Sequence, residues 1–238
     1  MRLRHLAFLF FTFKFLLFTF QPMPLFALDN NALDFPPPHL AEPDGLLAIG
    51  GDLTPERLLV AYKQGIFPWY EGEHILWWFP DPRFILYPEQ LKISKTVKSL
   101  LKRNEFEFTI NKAFPQVIRY CQQIKRSGQD GTWITGEVER AYTKMHELGY
   151  AHSAEVWKHG ELVGGLYGIR LGKVFFGESM FSRVSNASRY AFSKYVQLLR
   201  SEGVELIDCQ VYTQYLESMG AKMVEGAGFS RLLKELIK

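Results

Sequence analysis

Along this chain the spacing of apolar residues changes several times, and each change marks an element. His152 to Lys158 and Leu162 to Arg170 alternate like half-buried strands, joined by a turn at Lys158-His-Gly-Glu161. Lys173 to Met180 is the next strand, reached across Leu171-Gly172. A helical stretch from Ala187 to Ser201 follows, then a β-branched, apolar run from Val204 to Tyr212. Upstream, Phe84 to Tyr87 and Phe106 to Ile110 read as strands. Ser94 caps a helix reaching Arg103, Pro115 opens one reaching Arg126, and Thr135 or Gly136 starts one through His146. Before Phe84 the pattern is different. Gly45 to Gly51 is an apolar strand ending in paired glycines, and Thr54 with Pro55 suits the start of a helix that stops at Gly65. From Gly65 to Arg83 the chain is a stiff loop dense in Trp, Pro and Phe. The tail, 214–238, reads as a short helix, a glycine-rich turn and a final piece.

These elements describe an α+β protein. The division is drawn as an apolar extension over 1–28, a small N-terminal domain over 29–84 and a larger domain over 85–238.

One strand carries an anomaly. In V-E-L-I-D-C-Q-V-Y, Asp208 and Gln210 fall two residues apart, so alternation places both on one face with Leu206. An acid among apolar residues is costly unless paired. It is either tied to backbone amides at a strand end or part of a site. Glu178 raises the same choice, since it follows the apolar run Val174-Phe-Phe-Gly177 and is expected at a strand end. Two acid-bearing strands flanking one helix favour a shared site, because consecutive elements usually neighbour each other. Ser179 is no esterase nucleophile: the glycine that an elbow needs two residues on is replaced by Phe181.

Charge narrows the partners. The chain holds 28 basic and 25 acidic residues, and three of the basic ones lie in the first 22. The rest is neutral, so nucleic acid would have to bind a local patch. Lys95, Lys98 and Lys102 share one helix face opposite Val97 and Leu101 and form that candidate, or else a solvated face. Trp69, Trp77, Trp78, Trp133 and Trp157 form small-domain core or a stacking platform for a base. Two cysteines without a Cys/His cluster imply neither a disulfide framework nor zinc. Residues 1–22, rich in Phe but split by Lys14, are a membrane-attached or exported segment, part of the fold, or an extension ahead of a start at Met23.

At this point the sequence resembles the bacterial leucyl/phenylalanyl-tRNA–protein transferases. The motifs are G-L-L-A-I-G-G-D-L (45–53), A-Y-K-Q-G-I-F-P-W-Y (61–70), W-W-F-P-D-P-R (77–83), G-T-W-I-T (131–135), F-G-E-S-M-F-S-R (176–183) and I-D-C-Q (207–210). The resemblance runs from about Phe35 to Gly220 and leaves residues 1–22 outside. It implies a GNAT-like acyltransferase domain behind the small N-terminal domain, with no metal or organic cofactor. The implied reaction moves Leu or Phe, and less readily Met, from aminoacyl-tRNA to a protein with N-terminal Arg or Lys, marking it for N-degron proteolysis. The implied setting is a cytoplasmic monomer that uses neither DNA nor membrane. Glu178, Asp208 and Gln210 match the active site of that family. Trp69, Trp133, Tyr62 and Tyr142 match its aminoacyl-adenosine contacts, and Leu166, Phe175 and Ile207 its side-chain pocket. On this reading Asp208 polarises and orients Gln210, which holds the incoming amine, and the lysine face meets tRNA phosphates. Rivals are an acetyl-CoA acetyltransferase, a cell-wall aminoacyltransferase and a non-catalytic tRNA-binding module. The first lacks a glycine-rich pyrophosphate loop after Glu178.

Overall fold

The computed structural model describes residues 25–124 and 133–238. The expectations for residues 1–22 and for the turn at 127–131 lie outside them. The α+β class holds, in two sheets.

The first sheet has four short strands: β1 (Phe26–Leu28), β2 (Leu46–Gly50), β3 (Phe67–Pro68) and β4 (Leu76–Trp78), in the order β1-β2-β4-β3. The run from Gly65 to Arg83 is therefore not all loop. Trp77 explains why. Its ring is fully buried and its indole N–H donates to Gly50 O at 2.9 Å, which fastens β4 to β2. Helix α1 (Pro55–Lys63) starts where Thr54 and Pro55 predict. The Thr54 hydroxyl bonds Asp52 Oδ1 rather than the helix. Gly51, at φ +72°, lets the Arg57 side chain pass where a Cβ would lie 3.1 Å from it.

The second sheet has seven strands, in the order β11-β5-β10-β9-β8-β7-β6. They are β5 (Arg83–Leu86), β6 (Glu107–Ile110), β7 (Ala151–Lys158), β8 (Glu161–Leu171), β9 (Val174–Ser182), β10 (Leu206–Gln210) and β11 (Lys222–Val224). Among the described residues of this sheet only β9 and β10 run parallel, and α5 (Ala187–Ser201) makes the crossover between them. Period-two alternation sends neighbours to opposite faces. Phe176 and Leu206 join one core with α3 (Phe114–Gln123) and α4 (Gly136–Glu147). Phe175 and Ile207 join a second core beneath α5. The first core also takes in Leu47, Leu58 and Trp77, so the small sheet shares its interior with the large one. α2 (Lys95–Arg103) lies outside α5, capped by the Ser94 hydroxyl accepting from Val97 N–H.

The tail departs from its sequence pattern. After α6 (Gln214–Ser218), β11 pairs with β5, and the glycine-rich piece is the first turn of helix α7 (Gly226–Leu236) rather than a turn between elements. Gly226 N–H donates to Asp81 Oδ1 at 2.8 Å, and a Cβ there would stand 2.7 Å from that carboxylate. Phe229 and Leu233, both buried, hold the helix down and offset the poor helix propensity of its glycines.

Close approach is also needed where α5 starts over β8. A Cβ on Gly164 would lie 2.6 Å from that of Ala187 and 2.9 Å from its carbonyl carbon. Gly164→Ala therefore overpacks a backbone contact and is expected to lower stability by about 1–3 kcal/mol. Urea unfolding reads this as a lower midpoint at unchanged slope, and an unmoved midpoint would mean that α5 slides freely over the sheet.

Candidate active site

The site arises where two neighbouring strands part. The parallel ladder of β9 and β10 pairs Leu206 with Val174, Ile207 with Phe175 and Asp208 with Phe176, and ends there. Both strands then bulge. Against β8, Tyr167 faces Ser179 and Gly168 faces Gly177, so Glu178 is an extra residue in β9. Against β5, the register shifts between Asp208 and Gln210. Gln210 has φ +62°, a left-handed conformation rare for such a residue. Between the diverging strands lies a cavity of about 520 Å³.

Glu178 sits in the middle of β9, not at a strand end. Its Oε1 accepts from Tyr62 Oη at 2.7 Å and from Gln210 Nε2 at 2.9 Å, and its Oε2 accepts from Tyr142 Oη at 3.2 Å. The two tyrosine hydroxyls also meet each other. Burial pushes the Glu178 carboxyl up to about 7; the tyrosine and glutamine hydrogen bonds oppose that rise, and the nearby charge of Asp208 adds to it. Both tyrosines are raised well above their ordinary range, first by burial.

Asp208 is fully buried and faces a cation that the sequence reading missed. Arg83 Nε donates to Oδ1 at 2.8 Å and Nη2 to Oδ2 at 2.6 Å. Simple alternation of Asp208 and Gln210 fails because of the bulge. Asp208 touches Gln210 through its backbone N–H, 2.9 Å from Oδ1, while the Gln210 side chain reaches Glu178. A buried acid in a strand asks for a cation. Sequence alone does not show which one, since Arg83 lies 125 residues away.

Of the aromatic residues singled out, Trp69 and Trp133 line the cavity. Tyr62 and Tyr142 are fully buried and meet the site through Glu178. Leu166, Phe175 and Ile207 line the cavity, joined by Met180, Phe192 and Leu216. Lys95, Lys98 and Lys102 are exposed on α2, away from the cavity wall, and none is in an ion pair among the described residues. Among those residues no group of three His, Cys, Asp or Glu side chains could hold a metal, and no helix is long and apolar enough to cross a membrane.

Comparison with known proteins agrees over nearly all of this framework. A family model described as leucyl/phenylalanyl-tRNA protein transferase matches residues 85–234, and one described as the N-terminal domain of that transferase matches 51–81. The leucyl/phenylalanyl-tRNA–protein transferase of Syntrophobacter fumaroxidans is 54% identical over 216 residues, covering 90% of this chain and 92% of its own. The protein of the same name from Christiangramia forsetii is 54% identical over 207 residues, covering 86% of this chain and 98% of its own. Likeness to solved structures is looser. L-PGS from Bacillus licheniformis gives a TM-score of 0.38 at 14% identity, covering 79% of this chain and 65% of its own. A GCN5-related N-acetyltransferase-like protein from Streptococcus suis gives 0.35 at 12%, covering 60% and 59%. On identity and extent, the chain belongs to the leucyl/phenylalanyl-tRNA–protein transferase family.

Proposed function

We propose that this enzyme moves Leu or Phe, and less readily Met, from aminoacyl-tRNA to the α-amine of an N-terminal Arg or Lys, marking the acceptor for N-degron proteolysis. The observation that carries the reading is the cavity between β9 and β10, apolar on one side and edged by Glu178 and Gln210. Leu166, Phe175 and Ile207 suit an apolar side chain, and Trp69 and Trp133 suit the terminal adenosine. An apolar pocket favours Leu or Phe over a smaller side chain by only about 1–3 kcal/mol per methylene.

In the reaction the acceptor nitrogen attacks the ester carbonyl. A C–N bond forms, the C–O bond to the ribose breaks, and the amine proton ends on the ribose oxygen. A free α-amine has a pKa of about 8 and must first lose a proton. Gln210 gives its NH₂ to Glu178, which leaves its Oε1 to accept from the incoming amine and orient it. Glu178, poised near neutrality, supplies the carboxylate that takes the ammonium proton or holds the donor's own α-ammonium. The reading is tested by mixing the enzyme with Phe-tRNA and peptides beginning with Arg or Ala. Phe should be added to the Arg peptide alone. Transfer to neither would sink the assignment and favour another acceptor, such as a cell-wall precursor.

Glu178→Gln is expected to lower kcat about 10²–10⁴-fold. Wild-type rates should climb as pH passes about 7 and Glu178 ionises, and the variant should retain only the limb from the amine itself. Stability follows the same group. Its pKa is raised from 4.5 to about 7 on folding, so its contribution is complete below 4.5 and lost as pH rises through about 7. The variant's unfolding midpoint should lack that slope, and identical pH profiles for both proteins would remove Glu178 from proton transfer.

The exposed lysines of α2 are assigned to tRNA phosphates. Changing Lys95, Lys98 and Lys102 together to Glu should raise the tRNA KM at least about tenfold and flatten its dependence on salt, with kcat at saturation little changed. An unaltered salt slope would make the face merely solvated.

A further inference from the structure

The motif W-W-F-P-D-P-R ends in a residue to which the reaction above gives no task. Arg83 is the first residue of β5 and is fully buried. Its guanidinium lies 4.8 Å from the Phe67 ring, 4.7 Å from Phe229 and 5.8 Å from Phe79. These rings come from β3, α7 and the link between the sheets. Two of its nitrogens grip Asp208 side-on, and the third, Nη1, has no hydrogen-bond partner among the described residues.

A buried ion pair adds little net stability, because desolvating both charges consumes most of their attraction. Stability therefore gives a poor account of this one, and its geometry gives a better one. The oxygen of Asp208 that meets Arg83 Nε also accepts the backbone N–H of Gln210. That bond pins Gln210 in its left-handed conformation, which a side-chain-bearing residue leaves unless its surroundings hold it. The same conformation carries the Gln210 amide to Glu178.

We infer that Arg83 is a positioning residue for aminoacyl transfer, acting through Asp208 to hold Gln210 against Glu178. It touches no reacting atom. The inference rests on the transferase reading, which assigns Gln210 to the incoming amine. It also assigns a task to Phe67, Phe79 and Phe229. They fix the guanidinium in a plane, so the carboxylate below it cannot rotate and release the Gln210 N–H.

The test uses R83M, D208A and the double variant in the full-length enzyme. R83M should lower kcat about 10- to 100-fold, with the KM for aminoacyl-tRNA within twofold of wild type. The double variant should be no slower than the slower single variant, because Arg83 has nothing to act on once Asp208 is gone. Losses that multiply, or a folded R83M with wild-type kcat, would overturn the proposal. A crystal structure of R83M supplies a readout independent of turnover. There Gln210 should return to negative φ and leave Glu178, whereas retention of φ near +62° and of the 2.9 Å contact would also refute it. If R83M does not fold, R83K keeps the charge with one contact instead of two and carries both readouts, with an expected loss of at least about threefold. A wild-type enzyme that transfers nothing fails the transferase reading, while the variant's structure still decides what Arg83 holds.

Discussion

Two parallel strands that stop pairing after three residues organise this molecule. β9 and β10 share a ladder only as far as Phe176 and Asp208. Beyond it each strand carries a bulge, and the space that opens is the cavity. The parting needs support on both outer sides. β8 supports β9 and β5 supports β10, so the strands diverge without either becoming a free edge at its base. Everything polar in the site hangs on that geometry. Glu178 projects from one bulge and Gln210 from the other, and they meet across the gap.

The electrostatics follow from the same opening. Glu178 is held at the wall by two buried tyrosines that keep their protons. Such a carboxylate is disfavoured when charged and is thereby poised for use at neutral pH. Asp208, one strand away, is treated in the opposite manner, with a side-on guanidinium against it. Two acids within one site thus have different surroundings, one lined by hydroxyls and an amide, the other by a full positive charge. Divergent surroundings of this kind separate the tasks that two chemically similar groups can perform.

Much of this was legible beforehand, for reasons that can be located. α5 was predicted from Ala187 to Ser201 and spans those residues, because its apolar period is long and uninterrupted. α2 and α4 were legible from Ser94 and Thr135, whose hydroxyls do cap them. Asp208 and Glu178 stood out as acids in apolar strands, and the cavity brings them together. What escaped depends on distance along the chain or on irregular backbone. The strands β3 and β4 are too short to show a period, and tertiary pairing through Trp77 makes them. The bulge at Gln210 defeats any argument from alternation. α7 was hidden by its glycines, which look like a turn until Asp81 and the buried Phe229 are seen to hold them.

Phe229 closes one side of the ring cluster around Arg83, although no residue of its helix, α7, lines the cavity. Until α7 docks, water reaches the guanidinium and weakens its pull on the carboxylate beneath. Fraying of this helix therefore loosens the counter-ion of Asp208 while the β9–β10 ladder stays paired. A helix outside the cavity thus tunes the electrostatics within it.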